Sequence, residues 1–113
     1  MKNYEVIKCK RQALGMTQAE FAERIGVSSG TISNFEKGEE VSISVRNNIK
    51  YGIEALYRNL NRIEYHQALL ISQALCLEYQ TDEEKLKSLY YMNMVIGNLG
   101  INITNALSKE EAL

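Results

Sequence analysis

The chain has 113 residues, 45% of them hydrophobic and 24% charged, which fits one domain or a small domain with an appendage and excludes a disordered chain. Its net charge is −1, so the sequence as a whole carries no nucleic-acid signature; yet residues 1–60 hold nine Lys/Arg against seven Asp/Glu, and residues 61–113 four against seven, which puts any anion-binding surface in the first half. There is no proline and few alternating β-branched runs, so the expected class is all-α. Cys9, Cys76 and the single histidine, His66, have no metal-ligand spacing, and no cofactor or metal is expected. The start, "MKNYEVIKCKRQ", has no apolar h-region, and no apolar run reaches membrane-spanning length. The expected setting is reducing and cytoplasmic, with both thiols free and packed.

A first helix is expected over 3–14, with Asn3 as cap, an apolar stripe including Val6, Ile7, Ala13 and Leu14, and Gly15 as its stop. Thr17 followed three residues later by Glu20 is a capping box, and opens a second helix over about 18–25 that buries Phe21, Ala22 and Ile25. Gly26 suits a left-handed turn. Ser28 or Ser29 then caps a third helix to about Glu36, with Ile32 and Phe35 inward and Gly38 at its close. Ser42 or Ser44 starts a fourth, on which Val45, Ile49, Ile53, Leu56 and Leu60 share a face; Gly52 inside it is either tolerated or a point of close packing. A break is indicated near 60, although the fourth and fifth helices can also be continuous. The fifth, 62–79, is apolar nearly all round and is expected to be buried on more than one side. Thr81 and Glu84 form another capping box before a sixth helix over about 82–107, with one stripe through Leu86, Leu89, Tyr90, Ile96, Ile103 and Leu107 and a second through Met92, Val95 and Leu99.

The stretch "LGMTQAEFAERIGVSSGTISNFEKG" resembles the helix-turn-helix of the lambda-repressor-like, Xre/Cro-type DNA-binding family. Counting from Gln18, a small residue (Ala22), a glycine (Gly26) and a β-branched apolar residue (Ile32) fall at the fifth, ninth and fifteenth places. Ala22 lets two helices approach, Gly26 makes the turn and Ile32 anchors the second helix on the first. The likeness spans roughly residues 3–58 and is strongest over 14–38. It implies an all-α, lambda-repressor-like DNA-binding domain over 1–60; the fifth and sixth helices read from the residues make a C-terminal helical hairpin within 61–113.

The resemblance further implies double-stranded DNA as partner, with the helix over 28–36 in the major groove. The family's base-contacting places match Ser28, Ser29, Gly30, Thr31 and Asn34; Gly30 departs from the polar or basic residue common there. Asn can bridge adenine N6 and N7, whereas Ser and Thr discriminate less. Gln18 matches a phosphate-contacting glutamine, and Arg11 with Glu36 match a pair that in this family forms a salt bridge from the first helix to the end of the recognition helix. Lys37, Arg46 and Lys50 are phosphate-contact candidates by charge and proximity.

Nothing in residues 61–113 forms a catalytic constellation: there is no nucleophile–base pair, metal-ligand set or phosphate-binding glycine loop, and no enzyme is expected. The two apolar faces of the sixth helix exceed what a hairpin uses, which points to a homodimer through Leu89, Met92, Val95, Ile96, Leu99 and Ile103. Two functions follow. One is a repressor binding a palindromic operator as a homodimer. The other is an antitoxin-like or signal-binding regulator whose C-terminal helices hold a protein, peptide or small ligand.

Overall fold

The computed structural model describes residues 1–98, with side chains through Val95. The described residues form helices and turns with no strand. Helix α1 (Asn3–Ala13) is capped one residue earlier than expected: Lys2, not Asn3, is the N-cap, and its backbone N–H donates to the Glu5 carboxylate at 2.9 Å. The chain leaves α1 through Gly15, at φ 71°. Helix α2 (Gln18–Ile25) opens on the reciprocal capping box, in which the Glu20 N–H donates to Thr17 Oγ1 at 3.1 Å and the Thr17 N–H to Glu20 Oε1 at 3.2 Å. Helix α3 (Ser29–Glu36) is capped by Ser28, and α4 (Ile43–Arg58) by Ser42.

α4 and α5 (Arg62–Cys76) are separate helices. The Asn61 side-chain oxygen accepts the Glu64 N–H at 2.9 Å, and this cap starts α5 afresh. α5 ends at Cys76, and Leu77–Tyr79 tighten into a 3-10 turn. The Thr81 hydroxyl accepts the Glu84 N–H at 3.3 Å ahead of α6 (Asp82–Asn98). The side chain of Ile96, and Leu99, Ile103 and Leu107, lie outside the described residues.

Two compact units are present, Met1–Tyr79 and a second beginning at Gln80. The first therefore includes α5, on the far side of the division at residue 60 drawn from the sequence. The physical reason is the packing of α5 on α1. Ala68, Ser72 and Cys76, four residues apart, are small and buried, so one narrow stripe lets the two helices lie close. α5 is not buried on more than one side in the single chain: Ile63, Ile71 and Leu75 are exposed.

The core of the first unit joins Ile7, Phe21, Ala22, Ile32, Phe35, Ile49, Ile53, Tyr57 and Ala68. Each large member removed from water contributes about 1.5–3 kcal/mol. Tyr57 ties three helices: its hydroxyl donates to the Lys10 carbonyl on α1 at 3.0 Å and meets Ser72 on α5, and burial raises its pKa. The Cys9 and Cys76 thiols are buried against each other as free cysteines. Desolvation pushes both thiols up, Cys76 to about 12, so they pack as small neutral groups.

Gly52 is a point of close packing. A Cβ there would overlap the branched Ile25 side chain on α2. Gly52→Ala should cost up to about 2 kcal/mol net, since overpacking by about 1–3 kcal/mol exceeds the helix-propensity gain of about 1 kcal/mol. Urea unfolding checks this, and in an Ile25→Ala background the same change should cost nothing. Equal costs in both backgrounds would show that Ile25 is not the obstacle.

Candidate nucleic-acid interface

The turn between α2 and α3 is built by small residues. Gly26 sits at φ 76° in the left-handed region, and the Val27 N–H donates back to the Ala22 carbonyl at 3.0 Å. Ala22 is 2% exposed; Phe21 and Ile32 are fully buried. A larger side chain at position 22 would hold α3 off α2, so the aim of α3 depends on that alanine.

A polar network fixes the other end of α3. Arg11 Nε and Nη2 donate to the two oxygens of Glu36 at 2.7 and 2.8 Å, a bidentate pair buried at both side chains. Arg11 Nη1 donates to the Met16 carbonyl at 2.7 Å, in the α1–α2 connection. Gln18 Nε2 donates to Glu36 Oε1 at 3.0 Å. One carboxylate on α3 thus holds α1, and through Gln18 the first residue of α2. The Arg11–Glu36 pair is the one the resemblance implies; no sequence spacing brings position 18 to position 36, and the Gln18 and Met16 contacts follow from the tertiary arrangement alone.

The outward face of α3 is short and polar. The Ser28 hydroxyl accepts the Thr31 N–H at 3.2 Å and lies 2.8 Å from the Thr31 hydroxyl, so these two side chains are engaged with each other. Thr31 is half-buried; Ser28, Ser29, Gly30 and Asn34 are exposed. Among the described residues the Ser29 and Asn34 side chains have no hydrogen-bond partner. A Cβ on Gly30 would find only Ser28 Oγ, at 3.9 Å, so the surface there is open. Lys37, the C-cap of α3, and Arg46 and Lys50 on α4 are exposed. Of the apolar residues expected to join two copies, Leu89 is exposed, Met92 is half-buried and Val95 is already buried in the single chain; Ile96, Leu99 and Ile103 fall outside the described side chains.

This geometry agrees with comparison against known proteins. The helix-turn-helix family HTH_3 matches residues 7–50, from α1 into α4. Residues 7–50 are a helix-turn-helix domain of the lambda-repressor-like, Xre type. That family supports a DNA-binding regulator in general. Neither the curated proteins nor the solved structures gave a match. Among the described residues no helix is long and apolar enough to cross a membrane, and no His/Cys/Asp/Glu group is placed to hold a metal.

Two outcomes are expected. Arg11→Met should destabilise the domain by about 3–5 kcal/mol, because it strands a buried carboxylate. A double-mutant cycle with Glu36→Leu, read by urea unfolding, should return a large coupling; a value under about 1 kcal/mol, as for a surface pair, would deny the pair its role. Gly30→Ala should raise the unfolding midpoint, with a gain of up to about 1 kcal/mol, since open space receives the methyl. A lowered midpoint would show that the start of α3 needs glycine's freedom.

Proposed function

We propose that the chain is a repressor that binds a palindromic operator as a homodimer, with residues 1–60 reading DNA and residues 61–113 joining the copies. The observation that carries this reading is the exposed, unpartnered face of α3, Ser29, Gly30 and Asn34, on a helix whose other side is locked by the Arg11–Glu36 pair. A recognition helix needs both: polar groups free to meet base edges, and a rigid seat. Asn34 is the strongest base-reading candidate, because its amide offers a donor and an acceptor together. Ser28 and Thr31 add hydroxyls that discriminate weakly. Gly30 leaves room for a thymine methyl or the sugar–phosphate backbone to come close.

Gln18, Lys37, Arg46 and Lys50 are assigned to phosphates. Gln18 has a second amide hydrogen beyond the one given to Glu36, and it stands at the N-terminus of α2, where backbone N–H groups favour an anion. Dimerisation is assigned to α6, where Leu86, Leu89, Tyr90 and Met94 are exposed at three- and four-residue spacing. The acidic balance of residues 61–113 keeps that half away from phosphate.

Selection from a random duplex pool with purified full-length protein at moderate salt tests the reading. An enriched two-fold palindrome is expected, with half-sites about one helical turn, 34–36 Å, or a multiple apart. No enrichment by folded protein would shift the assignment to a regulator that acts through a partner held on the C-terminal helices. On the selected site, Asn34→Ala should lose about 1–3 kcal/mol and relax one base position. Lys37→Gln should weaken all sequences alike and lower the salt slope by about 1. The reverse pattern would exchange their roles.

A further inference from the structure

A cleft of about 260 Å³ lies among α1, the end of α3 and α4. Its floor is apolar: Ile7, Phe35 and Ile53 are buried and Val6 is half-buried. Its rim is cationic, with Lys10 from α1 and Arg46 and Lys50 from α4. Arg46 and Lys50 are four residues apart and so share a helix face. Glu54 is the one carboxylate on the lining. Among the described residues, none of Arg46, Lys50 and Glu54 has an ion pair. A neighbouring cleft of about 180 Å³ shares Asn3, Phe35 and Arg46, but Glu39 and Glu40 line it and repel an anion from that end.

We propose that the cleft among α1, α3 and α4 binds a small organic anion with an apolar body, its carboxylate held by Arg46 and Lys50 and its body on Phe35 and Ile53. Arg46 and Lys50, neither in an ion pair, stand against the one Glu54 carboxylate and set the sign of the ligand, while Lys10, whose ammonium lies over the Tyr57 ring at 5.5 Å, adds only to the surrounding field. The apolar floor sets its other half, because inorganic anions gain nothing there. The volume sets its size: about 260 Å³ holds roughly nine waters at about 30 Å³ each, and sits just under the usual lower bound of about 300 Å³ for ligand pockets. A carboxylic acid of about eight carbons matches that space. Such a ligand occupies the side chains assigned above to DNA phosphates; only this last consequence rests on the DNA-contact reading.

Full-length protein titrated with octanoate, 1-octanol and inorganic phosphate, followed residue by residue in amide NMR spectra, tests the site. Octanoate should bind saturably at one site, with shifts centred on Ile7, Phe35 and Ile53, and about tenfold more tightly than either control. Arg46→Gln and Lys50→Gln, both at exposed positions, should each weaken it about two- to fivefold, as expected for solvated charges. Octanol binding as well as octanoate would leave only an apolar hollow, and phosphate binding as well would leave only a cation cluster. Either result, absence of saturation, or shifts centred on α5 or α6 would overturn the proposal. Octanoate should also lower affinity for the selected DNA. If it binds the cleft without doing so, the cleft stands and the phosphate role of Arg46 and Lys50 falls.

Discussion

The buried ion pair between Arg11 and Glu36 is the constraint on which the rest of the first unit depends. Two charges removed from water are costly unless every polar atom finds a partner. Here the partners are present: the carboxylate takes both arms of the guanidinium and the Gln18 amide, and the third guanidinium nitrogen takes the Met16 carbonyl. The arrangement is only possible with α1, the α1–α2 connection, the start of α2 and the end of α3 in one relative position. Apolar contacts among Ile7, Phe21 and Ile32 supply cohesion but little direction. The ion pair supplies direction, and so fixes where the far side of α3 points.

Close approach of backbones is the second constraint, and it is set by what side chains leave out. Ala22 permits α3 to sit on α2. Gly52 permits α4 to receive Ile25 where any Cβ would collide. Ala68, Ser72 and Cys76 permit α5 to lie along α1. The last of these explains why the compact unit runs through Tyr79: the α5 stripe is as short in side chain as the α2–α3 crossing, and Tyr57, on α4, reaches both neighbours with its hydroxyl.

Local chemistry was legible in the sequence. Thr17 with Glu20, Gly15, Gly26, and a serine cap at 28 or 29 and at 42 or 44 each act within four residues, so their spacing carries their meaning; of the paired serines, Ser28 and Ser42 are the caps. The apolar and small positions of the helix-turn-helix were legible for the same reason, and the family match over residues 7–50 agrees with them. The first cap was misplaced because Glu5 closes on the Lys2 backbone, a bond that asks nothing of the side chain at position 2. The surroundings of α5 were misjudged because an apolar sequence measures what a helix can bury, whereas the first unit packs one stripe of it, through Ala68, Ser72 and Cys76, and leaves Ile63, Ile71 and Leu75 exposed. The Gln18–Glu36 contact spans eighteen positions and follows from tertiary geometry alone. The cleft among α1, α3 and α4 was hidden likewise, since its lining comes from three separate segments.

Magnitudes connect the modest face of α3 to the second half of the chain. A good bidentate base contact discriminates by about 1–3 kcal/mol. Asn34 is the one exposed residue of α3's outward face whose side chain can make such a contact, and hydroxyls add less. Specific sites are preferred over random DNA by about 4–10 kcal/mol. On the proposed reading, a single copy therefore falls short, and longer helices or extra basic residues are absent from α3 to make up the difference. Two copies on one palindrome double the discrimination without changing a contact, and pay for association only once. On the same proposed reading, the exposed apolar face of α6 is as much a determinant of sequence reading as Asn34, because joining two copies converts a weak half-site preference into a stronger one.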